Sequence, residues 1–258
     1  MKKQLTDVEK ARRERRKKIR RRRLKILAVF IICIAIVTFV ILLKTKLFPV
    51  KGVSAKGSSL YAESQIVNAS GITGKTPILG FSDSTVKNRI TKKLPYIETV
   101  DIKRKFPDSV VIRVSDASEY YAFKSGKSYY AVSEKGKVLN KYNSPPEGLI
   151  EVLSDDTELK IGNSIKFKND QAKEIFDFLT SYPKEKGIAV NLIDISNSIY
   201  ITMRVEGRFE VNLGNKENLK EKIDHLAGMI PEIGGRKGKI NLDMWSNSDS
   251  KGTFIEEN

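Results

Sequence analysis

Polar and apolar residues alternate on short periods along almost the whole chain, and the exception is Leu24 to Leu43. From Ile26 to Leu43 this stretch carries no charge, and Thr38 is its only hydroxyl. Eighteen residues at about 1.5 Å each span roughly 27 Å, close to the thickness of a bilayer's hydrocarbon core. The stretch predicts one membrane crossing, with Leu24 and Leu43 as its limits. The apolar run outlasts that of a signal peptide, and Leu42-Leu43-Lys44 follows where small residues would mark a cleavage site. We therefore expect an uncleaved anchor. Good helix formers lead into it from Thr6-Asp7-Val8-Glu9, which has capping-box spacing, so one helix is expected from near Asp7 to near Lys44.

Beyond the span, the pattern predicts a compact α+β unit over residues 48–117. Val50 to Val53 reads as a strand and Ala62 to Ala69 as a short helix closed by Gly71. A second helix runs from an N-cap in Ser82-Asp83-Ser84 through Lys93, with Val86, Ile90 and Leu94 on one face and Pro95 ending it. Thr99 to Arg104 and Val110 to Ser115 read as strands around a turn at Phe106-Pro107-Asp108-Ser109. The order is strand, helix, helix, strand, strand.

Residues 118–246 predict a second α+β unit with a mainly antiparallel sheet. Short strands are expected at Glu119–Phe123, Ser128–Val132 and Lys137–Leu139. A helix over Asn169–Tyr182 would place Ala172, Ile175, Phe178, Leu179 and Tyr182 on one face. The clearest alternation runs through Ile199, Ile201, Met203 and Val205, and again through Phe209, Val211 and Leu213. A three-residue loop, Glu206-Gly207-Arg208, keeps both apolar faces in register, pairing Val205 with Phe209, Met203 with Val211 and Ile201 with Leu213. A helix over Lys216–Ile230 buries Leu219, Ile223, Leu226 and Ile230 and leaves His225 in solvent. The final strand is Lys239 to Trp245, and residues 247–258 are polar enough to be expected disordered.

Charge then orients the chain. Residues 2–25 hold fourteen Lys or Arg, including Arg20, Arg21, Arg22 and Arg23, against three acids. The positive-inside rule puts this tail (residues 1–23) in the cytoplasm and the two domains outside it. Most of the formal charge of +16 sits in that tail; the rest of the chain has 33 bases against 28 acids. A basic stripe with interleaved aromatics is not legible, so nucleic acid is not an expected partner. Cys33, alone and mid-membrane, leaves the external region without a disulfide. One His and one Cys cannot assemble a His/Cys metal cluster or a His-based triad. No cofactor, metal, catalytic residue or small-molecule substrate is expected.

Three runs of residues, in order after such an anchor, resemble one family. They are Phe48-Pro49-Val50-Lys51-Gly52-Val53, Leu94-Pro95-Tyr96-Ile97, and Val100 to Val110 with its basic residues and Phe-Pro turn. Together they resemble the FtsQ-type POTRA domain of the bacterial division family FtsQ/DivIB. Ala122, Gly126, Tyr130, Val132, Gly136 and Val138 resemble the start of that family's β domain. Val211-Asn212-Leu213-Gly214, a helix, and Leu242-Asp243-Met244 resemble its C-terminal pattern, with Trp245 where the family usually has Arg.

The resemblance implies a non-enzymatic division protein concentrated at the septum. Its implied partners are FtsB/DivIC-like and FtsL-like division proteins, held at the C-terminal strand. In this chain that strand supplies Ile240, Asn241, Leu242, Met244 and Trp245. If it lies at a sheet edge, its unpaired backbone groups invite a partner strand. A POTRA-type chaperone for translocated polypeptides and a membrane-anchored cell-wall enzyme are the alternatives. A single POTRA unit argues against the first, and the lack of a nucleophile–base pair against the second.

Overall fold

The computed structural model describes residues 7–45, 48–244 and 252–257. Helix α1 runs Asp7–Thr45, as the sequence predicts, and it is the one described helix long and apolar enough to cross a membrane. The first domain follows as β1 (Gly52–Lys56), α2 (Glu63–Ser70), α3 (Asp83–Lys93), β2 (Ile97–Lys105) and β3 (Ser109–Asp116). Its sheet order is β1-β3-β2. β1 joins β3 in parallel because two helices separate them, whereas the short Phe106-Pro107-Asp108 connection folds β2 back antiparallel. The Phe106–Pro107 bond is cis.

Each helix buries the face its spacing predicts. Ile66 and Ala69 from α2 and Val86 and Ile90 from α3 pack on Val100, Ile102, Ile112 and Val114. Gly71 ends α2 with φ 69°, a left-handed cap for which glycine carries no steric cost. Ser82 occupies the N-cap of α3, but its hydroxyl bonds Ser84 Oγ at 2.7 Å instead of the helix amides. Arg104 fastens the α3 entry to the sheet, pairing with Asp83 at 2.7 Å and donating to the Ile78 and Phe81 carbonyls at 2.9 Å.

The second domain begins with a meander of β4 (Glu119–Ser125), β5 (Ser128–Ser133) and β6 (Val138–Tyr142). β7 (Ile150–Leu153) then returns beside β4 in parallel. A small hairpin, β8 (Thr157–Glu158) with β9 (Lys166–Phe167), leads into α4 (Asp170–Glu185). Next come β10 (Val190–Asp194), β11 (Ile201–Val205), β12 (Phe209–Gly214), α5 (Leu219–Ile233), β13 (Gly238–Asn241) and β14 (Thr253–Glu256). The nine-stranded sheet has the order β14-β13-β12-β11-β10-β7-β4-β5-β6. Two of its three parallel pairs, β7 with β10 and β12 with β13, have a helix between them in sequence, while the third, β4 with β7, is bridged by the β5–β6 hairpin. The remaining pairs are antiparallel.

Several sequence expectations are corrected here. Thr253–Glu256 is a strand, not part of a disordered tail, because it pairs with β13 from Gly238↔Glu256 to Asn241↔Thr253. The β11–β12 hairpin pairs Val205 with Phe209 and Met203 with Val211 as expected, but a shift beyond Thr202 sets Ile201 opposite Gly214. In α4 it is Phe176, not Phe178 or Tyr182, that enters the core. Phe178 and Tyr182 stack on each other at its margin, and the Tyr182 hydroxyl donates to Asp224 of α5 at 2.9 Å. His225 is half-buried, not solvated. The central strands β7 and β10 carry no clear period in so few residues.

The two domains meet through polar contacts that are partly or fully buried. Glu119 accepts hydroxyls from Tyr96 at 2.5 Å and Tyr142 at 2.9 Å, and the Ala117 amide donates to the Tyr96 carbonyl at 2.8 Å. Desolvation, helped by Glu119, raises the Tyr96 phenol above its ordinary value. Lys137 buries its stem and donates its amine to the Ile97 carbonyl. Burial pushes that amine down to about 8, with Glu98 opposing.

A folded lysine pKa below the unfolded one means a desolvation cost that is present in full below about pH 8 and fades as pH rises toward the ordinary lysine range. In detergent, the wild-type chain should therefore gain stability relative to Lys137→Met between about pH 7.5 and 10, by on the order of 1–3 kcal/mol. Parallel melting profiles of the two proteins across that range would contradict this.

Candidate interaction edge

The C-terminal end of the large sheet is built by the second crossover. α5 leaves β12, packs Leu219, Ile223 and Leu226 on the sheet, and returns the chain as β13 beside β12. Two glycines then let β14 approach. A Cβ on Gly238 would run into the Ile255 carbonyl, and one on Gly252 would meet Leu242 at 2.8 Å and His225 at 2.9 Å. Phe254 packs edge-on over Phe209 with centroids 6.1 Å apart, while Arg236 covers Phe254 at 5.2 Å and pairs with Glu256 at 3.7 Å. Main-chain pairing and one aromatic therefore hold β14 in place.

This geometry relocates the edge that the sequence suggested. β13 is an interior strand, flanked by β12 and β14. The side chains of Ile240 and Leu242 point into the core, 1% and 0% exposed, so neither offers a partner a contact. Both positions continue the inward alternation of β12, where Val211 and Leu213 are also buried. Asn241 is half-buried and caps the following turn by accepting from the Asp243 amide at 3.2 Å. Met244 is 84% exposed, and Trp245 lies outside the described residues. Arg20 to Arg23 and Leu24 are exposed on α1, which also includes Leu43.

Among the described residues, β14 ends the sheet with its outer side unpaired. The opposite edge strand, β6, is different at its start. There Val138 exchanges hydrogen bonds with Asn163 and Gly162 at 2.9 and 2.8 Å. Beside β14, the sheet face that carries no helix forms an open depression of ≈ 470 Å³. Thr202, Asn212, Asn241 and Ile255 line it, with Tyr200 at its rim. Ile255 and Tyr200 are both exposed. No sequence signal marked β14, because four residues in a polar segment have no period to detect.

The buried ionisable groups here are structural. Lys222 of α5 is enclosed and donates to the Leu213 carbonyl at 2.6 Å and to that of Asn215 at 3.2 Å, tying the helix start to the end of β12. Burial lowers its pKa, opposed by Asp243 and Glu217. Among the described residues, no group of three or more His, Cys, Asp or Glu is placed to hold a metal ion.

Comparison with known proteins agrees with this architecture. Residues 48–116 match the family model of the POTRA domain, FtsQ-type. Over 216 residues the chain is 25% identical to cell division protein DivIB of Clostridium tetani, covering 80% of each protein. Over 212 residues it is 23% identical to cell division protein DivIB of Clostridium acetobutylicum, covering 80% of this chain and 84% of that one. Residues 48–116 are thus similar to an FtsQ-type POTRA domain, and most of the chain is similar to DivIB proteins. A shorter likeness, 25% over 84 residues, links it to cell division protein FtsQ of Streptomyces coelicolor, covering 33% of this chain and 32% of that one. These relatives are named as cell division proteins. Among its described helices, α1 alone has the length and apolarity of a single membrane span.

Proposed function

We propose that this chain is a non-enzymatic scaffold of the division machinery, anchored by α1 with its N-terminus in the cytoplasm and its two domains outside. Concentrated at the septum, it regulates cell-wall synthesis by gathering FtsB/DivIC-like and FtsL-like single-pass proteins. The orientation rests on the basic residues before Leu24, including Arg20 to Arg23. The observation that carries the scaffold reading is the unpaired outer side of β14, next to the exposed Ile255. An open strand edge offers a row of backbone donors and acceptors to which a partner segment adds one more strand. Asn241, opposite Thr253 in the β13–β14 ladder, and Met244 and Trp245, in the stretch of sequence between the two strands, complete the proposed contact region, while Ile240 and Leu242 support it from within.

The test is to purify the full chain in detergent with the external segments of the two partner proteins. Ile255→Glu and Met244→Glu change exposed side chains, so both variants should melt as the wild type does. Together they should weaken partner capture by about tenfold or more, the scale of a central contact. Unchanged capture by the folded double variant would refute the β14 edge. A uniform distribution of the tagged protein around dividing cells would refute the septal role.

A further inference from the structure

The first domain has one end that the chain itself holds against the bilayer. α1 ends at Thr45, and Pro49 is already bridged to Pro77 of the first domain. The three peptide units from Thr45 to Phe48 can span no more than about 11 Å. The headgroup layer beyond the hydrocarbon is itself about 5–8 Å deep. With α1 in the membrane, Phe48 to Lys51 therefore lie at or just above the headgroups.

Topology decides what else lies at that level. β1 starts at Gly52 and runs away from the anchor, and β3 runs parallel to it with Gly52 opposite Ser109. The start of β3 and the end of β2 are thus at the anchor end of the sheet. Two hydrogen bonds confirm the placement, from the Lys51 and Gly52 amides to the Asp108 carbonyl at 2.7 and 3.3 Å. A third segment joins them, since the Val50 amide donates to the Thr76 carbonyl at 2.9 Å and the Ile78 amide to that of Phe48 at 2.8 Å.

The side chains on this rim suit a membrane surface. Phe106, at the hairpin tip, is 62% exposed, although nearly every other phenylalanine outside α1 is packed. Lys51, Lys75 and Lys105 stand exposed around it. The rim acids are engaged, Asp108 with Lys51 at 3.4 Å and Asp83 with Arg104 at 2.7 Å. An apolar ring flanked by lysines is the combination that interfacial membrane contacts use: the ring is buried at the headgroup–acyl boundary, and the cations are drawn to an anionic surface.

We propose that this rim is a second membrane contact, in which the Phe106 ring enters the headgroup region and Lys51, Lys75 and Lys105 bind anionic lipid headgroups. It would hold the first domain upright and fix how far the β14 edge stands from the bilayer. The proposal rests on α1 spanning the membrane and is independent of the partner reading.

The full chain in nanodiscs tests it. In a Trp245→Phe background, Phe106→Trp supplies a fluorescent reporter, and Leu60→Trp supplies a control just beyond the far end of β1, at an exposed position. In discs of phosphatidylcholine with phosphatidylglycerol, headgroup-level spin-labelled lipid should quench the reporter at position 106 several-fold more than the one at position 60. Adding Lys51→Gln, Lys75→Gln and Lys105→Gln should reduce that quenching, and so should omitting phosphatidylglycerol. Equal quenching at both positions would overturn the contact, and quenching indifferent to the lysines and to phosphatidylglycerol would overturn its anionic character. Co-flotation of the same protein with liposomes after an alkaline wash reports on α1 separately.

Discussion

Ile240→Asp should strongly destabilise the second domain. The residue sits on β13 between β12 and β14 with its side chain enclosed by the core that α5 covers. A carboxylate there would sit among the apolar side chains of that core, so it either stays charged in an apolar site or takes up a proton to fold. Both routes are costly, and the expected loss is on the order of 4–5 kcal/mol. Melting in detergent, followed by circular dichroism, should drop by roughly 10 °C or more. Ile255→Glu, one strand further out and exposed, should stay within about 0.5 kcal/mol of the wild type. Were Ile240→Asp to melt with the wild type, the burial of β13 and the reassignment of the edge to β14 would both be wrong. The pair also separates stability from recognition: a charge at Ile240 would weaken partner capture by destabilising the domain, and only a charge at Ile255 tests the edge.

Phe123→Ala is expected to rank with it. Phe123 is fully buried on β4, with Phe176 of α4 at 5.4 Å and Tyr121 and Phe167 each at 6.4 Å between ring centroids. This cluster joins the central strands to α4 and the β8–β9 hairpin. Truncation removes the ring's transfer energy and leaves a cavity that three other rings cannot fill without losing their own packing. The expected cost is about 3–5 kcal/mol. Urea titration should show a lower midpoint with little change in slope. Phe178→Ala, at the half-exposed margin of α4, should cost clearly less, and equal costs would contradict the assignment of Phe176 as the inward residue.

Much of the first domain was legible because its elements are local. α2 and α3 each carry an apolar face, a stop residue (Gly71, Pro95) and flanking turns within a few residues. The Phe-Pro turn separates two strands whose alternation shows without knowledge of their neighbours. The β11–β12 hairpin was legible for the same reason: its register follows from matching two alternating faces across a short loop, down to Thr202.

The second domain hid what depended on distant neighbours. β7 and β10 are short strands in mid-sheet, each paired in parallel with a strand far away in sequence. β14 is a strand because β13 offers it a ladder and Gly238 leaves room for it. Phe176 displaced Phe178 from the core because the aromatic cluster under α4 lies on that side. Lys137 and Lys222 look like surface residues in sequence, and only the packed fold shows the Ile97, Leu213 and Asn215 carbonyls that take their amines.

The sequence by itself determined the membrane span, the basic flank before it, the order of the first domain's elements and the lack of a His or Cys constellation. These follow from length, charge and short periods, which act within a few residues of one another. Tertiary structure alone decided which strand closes the sheet, which apolar residues of the last segments face inward, and which end of the first domain lies next to the end of α1. Those outcomes depend on pairing between residues far apart in the chain. There the same four-residue stretch is edge, interior or coil according to the neighbour that meets its backbone.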